Sequence, residues 1–323
     1  MQLGFATKIL GKAGLKSHDS RRWQNQPHLS VSLAYLRDIF IYLKRQEIRM
    51  YRLSAALAPY VTHPDMPQFH DQIDECAIEL AAVGQLAREA NLRLSFHAPM
   101  STVLDAPEES IAAQAAADLL ALARLLDGLG QGPEAIIVLH IGGVYGDRTA
   151  ARRRFVERCQ ALPPVTRRRL ALEHDDKRFS VADAAWVHER TGIPLIYDHL
   201  HHRCHNPDKL ETIEALALCL RSWPDGVRPK VHFSSPRTAM RNIERLHPAT
   251  SARARLLRPP QPTEHADFIH PFEFITFLQA AREAALPDFD VMLEARAKDL
   301  ALLHLRQNLG RLAPELYKAI QVK

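Results

Sequence analysis

The sequence predicts an α/β protein whose strands close into a (β/α)8 barrel, and three observations predict it. Short apolar runs suited to buried strands alternate with longer segments of helical periodicity eight times along 323 residues, the order expected of a barrel or of a long doubly wound sheet. Six consecutive runs, the third to the eighth, each finish on His, Asp or Glu. Closure brings such ends to one face, the C-terminal face of the strands, whereas an open sheet strings them along a line. No repeat beyond this alternation, no low-complexity block and no linker divides the chain. A single TIM-barrel domain over 1–323 is therefore expected, with a core to about 305 and a helical extension over about 306–323.

The elements follow in order. Gln2–Ala6 reads as the first strand, and a basic connection carries Lys8, Lys12, Lys16, Arg21 and Arg22. Leu33, Leu36, Ile39, Phe40 and Leu43 recur at helical spacing, predicting a helix over Val31–Gln46. Ile48–Leu53 is the second strand, Asp71–Ala90 a helix and Leu92–His97 the third strand. The Ala- and Leu-rich Pro107–Gly128 is a helix, Ala135–His140 the fourth strand and Arg148–Gln160 an Arg-rich helix. Leu170–Glu173 is the fifth strand, with a helix from about Val181. Ile193–Tyr197, after a Gly turn signal, is the sixth strand, and Glu211–Arg221 a helix. Pro229–Phe233 is the seventh strand, and Arg237–Pro262 a long Arg- and Pro-rich connection. Pro271–Ala285 is a helix, Phe289–Glu294 the eighth strand, and a last helix carries Leu300, Leu303 and Leu305.

Composition narrows the class. Hydrophobic residues make up 46% of the chain, enough for a full core, yet no apolar run is long enough to span a bilayer. The opening residues lack the apolar stretch of a signal peptide, and the four cysteines show no paired spacing. A cytoplasmic protein with reduced thiols is expected. The net charge of +5 is modest, but the arginines gather in connections. Arg237, Arg241, Arg245, Arg253, Arg255 and Arg258 share one connection in which Glu244 is the only acid. Lys8 to Arg22 lie in another that also opens on the catalytic face. Basic rims of this kind suit a polyanion. Arg152–Arg154 and Arg167–Arg169 lie near helices and read as solvated surface.

The chemistry lies at the strand ends. They are His97, His140, Glu173, Asp198 followed by His201 and His202, His232 and Glu294. One such residue is commonly a hydrogen-bonded structural group. Six in register are better explained as ligands, because buried carboxylates and imidazoles are costly without a partner. Mixed oxygen and imidazole donors suit Zn, Mn or Fe better than Mg. Their number exceeds the roughly four ligands of one zinc, so two or more ions bridged by a carboxylate are implied, the arrangement that clamps attacking and leaving oxygens in phosphoryl chemistry. Lys230 lies two residues before His232 and points to the same side. It could hold a phosphate, become carboxylated into an anionic ligand, or snorkel to the rim.

The segments YRLSAALAPYVTHP, LSFHAP, IVLHIGG, LALEHDD, IYDHLHH, RPKVHFS and VMLEARAKD, in this order and spacing, resemble the UV damage endonuclease family over roughly Leu3 to Leu303. That family is a metal-dependent TIM barrel related to endonuclease IV. The resemblance implies cleavage of the DNA backbone immediately 5′ to a UV photoproduct by a three-metal cluster, commonly manganese, with Zn or Mg as alternatives. It places His63, His97, His140, Glu173, Asp198, His201, His232, His265 and Glu294 on metal ligands, and Lys230 on a lysine modified in the family. Glu173, Lys230 and His232 are the expected catalytic groups.

The chain departs from the family at the positions that probe damage. Where the family carries His-Pro-Gly-Gln-Tyr after the third strand, this chain has His97-Ala98-Pro99-Met100-Ser101. Leu3-Gly4-Phe5 replaces Leu-Gly-Tyr, Glu173-His174-Asp175 replaces Glu-Asn-Asp, and the segment before His265 is longer. Recognition is expected to rest more on DNA bendability, with Phe5 and Met100 as wedges and Lys8, Arg237, Arg241, Arg253, Arg255 and Arg258 on the backbone. The expected partner is double-stranded damaged DNA, with no membrane and no obligate protein partner. A sugar isomerase or epimerase on the same barrel predicts an acidic or neutral rim, against the basic connections. A non-catalytic metal- or DNA-binding protein predicts missing ligands, and none is missing.

Overall fold

The computed structural model describes residues 1–246 and 253–321. Its strands are β1 (Leu3–Ala6), β2 (Met50–Arg52), β3 (Arg93–His97), β4 (Ile136–His140), β5 (Leu170–Glu173), β6 (Leu195–Ile196), β7 (Lys230–Phe233), β8 (Arg241–Leu246), β9 (Arg253–Arg258) and β10 (Asp290–Leu293). Eight of them are parallel neighbours in the order β6-β5-β4-β3-β2-β1-β10-β7. The ends of that sheet, β6 and β7, meet through one parallel bridge, Asp198 to His232, and the His232 N–H donates to the Tyr197 carbonyl at 2.8 Å. The sheet is thus nearly closed into a barrel with helices alternating around it.

Strand alternation assigns each residue to one of two layers. Leu3 and Phe5, Leu94 and Phe96, Ile137 and Leu139, Leu170 and Leu172, and Val231 and Phe233 all belong to the large apolar layer shared with the helices. Ile136, Val138, Ala171 and Ile196 form a separate small cluster with Trp223 inside the barrel. The same inward parity carries the chain upward to His140, Glu173 and Asp198, and on β7 and β10 to His232 and Glu294. Low in the barrel, Arg93 pairs with Asp290 at 2.8 Å and lies over the Trp223 ring. The interior therefore grades from an ion pair and an apolar plug to a polar cup at the C-terminal face.

Several expectations change. The helix expected over Asp71–Ala90 is two helices, Gln72–Glu75 and Ala77–Glu89. The connection Arg237–Pro262 holds an antiparallel hairpin, β8 with β9, in which Arg241 faces Arg258 and Glu244 faces Arg255. The C-terminal residues form helices Lys298–Leu312 and Pro314–Gln321. Two arginine runs expected to be solvated are partly structural. Arg152 pairs with Asp183 at 2.8 Å, and Arg154 donates to the Asp105 carbonyl at 2.7 Å. Arg169 is 5% exposed and bonds Asp127 and the carbonyls of Gln131 and Ala135. Among the described residues no helix is long and apolar enough to cross a membrane.

Candidate metal centre

Glu173 is the hub of the cup. It closes β5, is 1% exposed, and accepts from His97 Nε2 at 2.9 Å on Oε2 and from His232 Nδ1 at 2.9 Å on Oε1. His140 Nε2 stands 3.8 Å from Oε2 and His201 Nδ1 3.4 Å from Oε1. These positions follow from parallel register: His140 pairs directly with Glu173 across β4 and β5, and Met292 with His232 across β10 and β7. Among the described residues three groups could each hold an ion, with one ligand atom per residue and all such atoms within 4.8 Å of one another. They are His97–His140–Glu173, Glu173–Asp198–His201 and Glu173–His232–Glu294. Glu173 belongs to all three, as a bridging carboxylate would.

The residues fit such ions chemically. Burial would raise the Glu173 carboxyl, but the imidazoles of His232 and His140 hold it well below the usual carboxylate range. Burial would lower His201, yet the Asp198 and Glu173 carboxylates push it up to about 9, the mark of an excess of negative charge that a cation would offset. Asp198 is fully buried; its Oδ1 caps the short helix His199–Cys204 through the His201 N–H at 2.8 Å, and its Oδ2 has no hydrogen-bond partner among the described residues. An unpartnered buried carboxylate oxygen is costly unless a cation completes it.

The other expected site residues divide. His265 bonds the Glu294 carbonyl through Nδ1 at 2.7 Å and lies 3.9 Å from Glu294 Oε2, at the edge of the third group. His63 is not in any of the three groups; its carbonyl accepts from His70 Nε2 at 2.8 Å. Lys230 is fully buried on β7, its Nζ has no hydrogen-bond partner among the described residues, and burial together with Arg52 and Arg93 lowers its pKa well below the usual lysine range.

Phe5 corrects an expectation. It is 0% exposed and packs edge-to-face on Tyr51 with ring centroids 5.4 Å apart. Its parity turns it into the helix layer, so it cannot wedge into a duplex. Met100 is 69% exposed, and Lys8 is exposed. Arg237 pairs with Asp267 at 3.8 Å with only 12% of its side chain exposed, and Arg241 pairs with Glu264 at 3.1 Å. Both anchor the root of the hairpin, and the acids that match them, Asp267 and Glu264, lie beyond the Arg237–Arg258 run. Arg255 is 82% exposed and 3.7 Å from Glu244, and Arg258 is half-buried. The Arg253 side chain lies outside the described residues.

Sequence reasoning missed Arg52 and Asp105. Arg52 closes β2 without an apolar-to-polar break to mark it, and its guanidinium touches His232 and Glu294. Asp105 is fully buried and accepts from the Gly143 N–H at 3.3 Å. A Cβ at Gly142, whose φ is +130°, would lie 2.0 Å from Asp105 Oδ1, so only glycine permits this contact in the turn after β4. Burial pushes the Asp105 carboxyl up to about 7. The signal that could have found it is the glycine pair after His140.

Comparison with known proteins agrees with this geometry. The family model described as UV-endonuclease UvdE matches residues 18–320. The chain is similar to the UV DNA damage endonuclease of Bacillus velezensis, 31% identical over 297 residues, covering 90% of this chain and 85% of that protein. It is similar to the crystal structure of SacUVDE, with 28% identity, a TM-score of 0.79 and coverage of 97% of this chain and 99% of that one. The 3-keto-D-glucoside 4-epimerase of E. coli has a TM-score of 0.54 at 12% identity, covering 97% of this chain and 99% of that chain, a likeness of fold alone. The chain belongs to the UV-endonuclease UvdE family.

Proposed function

We infer that this UV DNA damage endonuclease cuts the backbone of damaged double-stranded DNA 5′ to UV photoproducts or other lesions, with a divalent cluster held at the barrel mouth. One observation carries the reading: three ligand groups converge on a single buried carboxylate, Glu173. His97 and His140 would hold one ion, Asp198 and His201 a second, and His232 and Glu294 a third, with His265 and His63 completing the outer positions. Manganese suits this mixed oxygen and imidazole set, with Zn or Mg as alternatives. Such ions, when bound, lower the pKa of water and neutralise charge developing on phosphate.

The chain's own groups do the rest. Glu173 keeps its negative charge among the imidazoles and fixes their spacing. Lys230, buried beneath the cup with an unpartnered Nζ, either contacts phosphate or is carboxylated into a further anionic ligand. Arg255, Arg258 and Lys8 line the duplex side, and Met100 offers an apolar wedge. The sugar-epimerase reading rests on fold likeness alone, and the basic hairpin beside the mouth does not suit a small polyol.

The test uses end-labelled duplexes carrying a defined photoproduct, an abasic site or no lesion, incubated with Mn²⁺. A single cut 5′ to the photoproduct is expected. Equal cutting of all three duplexes, or none, would remove the lesion-specific reading.

A further inference from the structure

Arg52 has no assigned part in cleavage, yet its side chain is 9% exposed at the wall of the cup. Its Nη2 donates to His232 Nε2 at 2.8 Å and forms an ion pair with Glu294 Oε1 at 2.6 Å. A guanidinium carries donors only. His232 Nε2 therefore accepts, and the ring hydrogen sits on Nδ1, which donates to Glu173 Oε1 at 2.9 Å. That same Nδ1 is turned to Glu294, whose Oε1 is 3.4 Å away. It is the nitrogen His232 can offer to an ion shared with Glu173 and Glu294, and a metal needs it free of hydrogen. Ligation at Nδ1 leaves the ring hydrogen on Nε2, where it meets the Arg52 N–H, donor against donor.

We propose that Arg52 is the internal counter-cation of the Glu173–His232–Glu294 group and a positioning residue that sets its metal affinity. The proposal rests on the metal-centre reading above. An ion taking that place competes with Arg52 for Glu294 and drives the guanidinium off His232. The charges agree with this. Glu173 and Glu294 both face one imidazole, and among the described residues the ion pairs of Glu294 are with Arg52, His232 and His265. Arg52 thus carries the permanent positive charge that keeps the two carboxylates together, and the same charge opposes an incoming cation.

Arg52→Gln separates the two effects. Wild type and variant are titrated calorimetrically with Mn²⁺, and their thermal midpoints are read in chelator and in Mn²⁺. The variant should bind about tenfold tighter at one site, the equivalent of one charged hydrogen bond removed from competition. Its midpoint should be below wild type in chelator and gain more on Mn²⁺ addition. Equal or weaker affinity with an equal gain overturns the proposal, while a wild type that binds no Mn²⁺ overturns the metal-centre reading beneath it. A second measurement needs no variant: ¹⁵N spectra of the histidine ring nitrogens in wild type with diamagnetic Zn²⁺. The His232 hydrogen should move from Nδ1 to Nε2, and its staying on Nδ1 while Zn²⁺ binds overturns the proposal.

Discussion

Glu173 and Met100 border the same barrel mouth, yet Glu173 is 1% exposed and Met100 69%. The difference extends to the regions around them. The cup is assembled from strand ends, so parallel register sets its distances; His140 is fixed opposite Glu173 by the ladder itself. The rim is assembled from connections, where the 97–107 segment and the β8–β9 hairpin carry exposed Met100, Arg255, Leu256 and Leu257. A cup held by a sheet keeps its chemistry when loops change. A rim held by loops can change without disturbing the residues of the cup, and Met100 and Ser101 belong to the rim.

The sharpest test of this division removes the hub. Glu173→Ala takes one ligand from every group, and cleavage should fall by more than about 100-fold, beyond the loss typical of an outer-shell change. Metal content, measured on the same preparation, should fall with it. Normal metal content and activity would dissolve the distinction between cup and rim.

A rim change should act on binding and leave metal content alone. Replacing Arg255 and Arg258 with Ser should weaken binding to all duplexes alike and flatten the plot of log affinity against log salt by about 2, at roughly 0.9 per phosphate neutralised. An unchanged slope would make the hairpin a solvated arm. Met100→Gln with Ser101→Tyr should raise the ratio of photoproduct to undamaged cleavage severalfold, because the polar probe can bond bases orphaned by an extruded lesion. A falling ratio would mean that recognition already sits elsewhere on the rim.

The smallest effect concerns the buried carboxyl beneath the turn after β4. In the folded chain the Asp105 carboxyl keeps its proton to about pH 7, and in the unfolded chain it loses it near the ordinary 3.8. Between those values the folded state binds more protons, so stability declines as pH rises through the window and is level above it. Asp105→Asn keeps an acceptor for the Gly143 N–H without the charge. Its unfolding free energy should match wild type at pH 4 and exceed it at pH 8, by on the order of 1–3 kcal/mol. No divergence between the two curves would remove the buried carboxyl from the account.

Much of the cup was legible because parity and strand ends are written in the chain. Glu173, His232 and Glu294 each follow an apolar run, and closure alone brings them together. The rim was not, because its order depends on distant pairing. Nothing local to Arg241 announces Glu264, nothing near Arg237 announces Asp267, and the hairpin is bounded by prolines that read as loop. Phe5 was misjudged for a related reason: its position at a strand end is plain, but its side of the sheet depends on which neighbours face in. Arg52 lies in the expected strand Ile48–Leu53, where each face carries one arginine beside two apolar residues, so alternation does not point it inward.

The bridge between Asp198 and His232 has a mechanical meaning. Strand β6 has only two residues, so the ring of strands is thinnest where it meets itself, and the two residues that meet there stand in separate ligand groups around Glu173. Ions held on both sides of that join would act as a clasp on a hoop. Hydrogen exchange should therefore slow at the His232 amide when Mn²⁺ is added, while amides in the middle of β4 stay indifferent. If the two respond alike, the hoop is already fastened by its own backbone, and the metals hold the substrate alone.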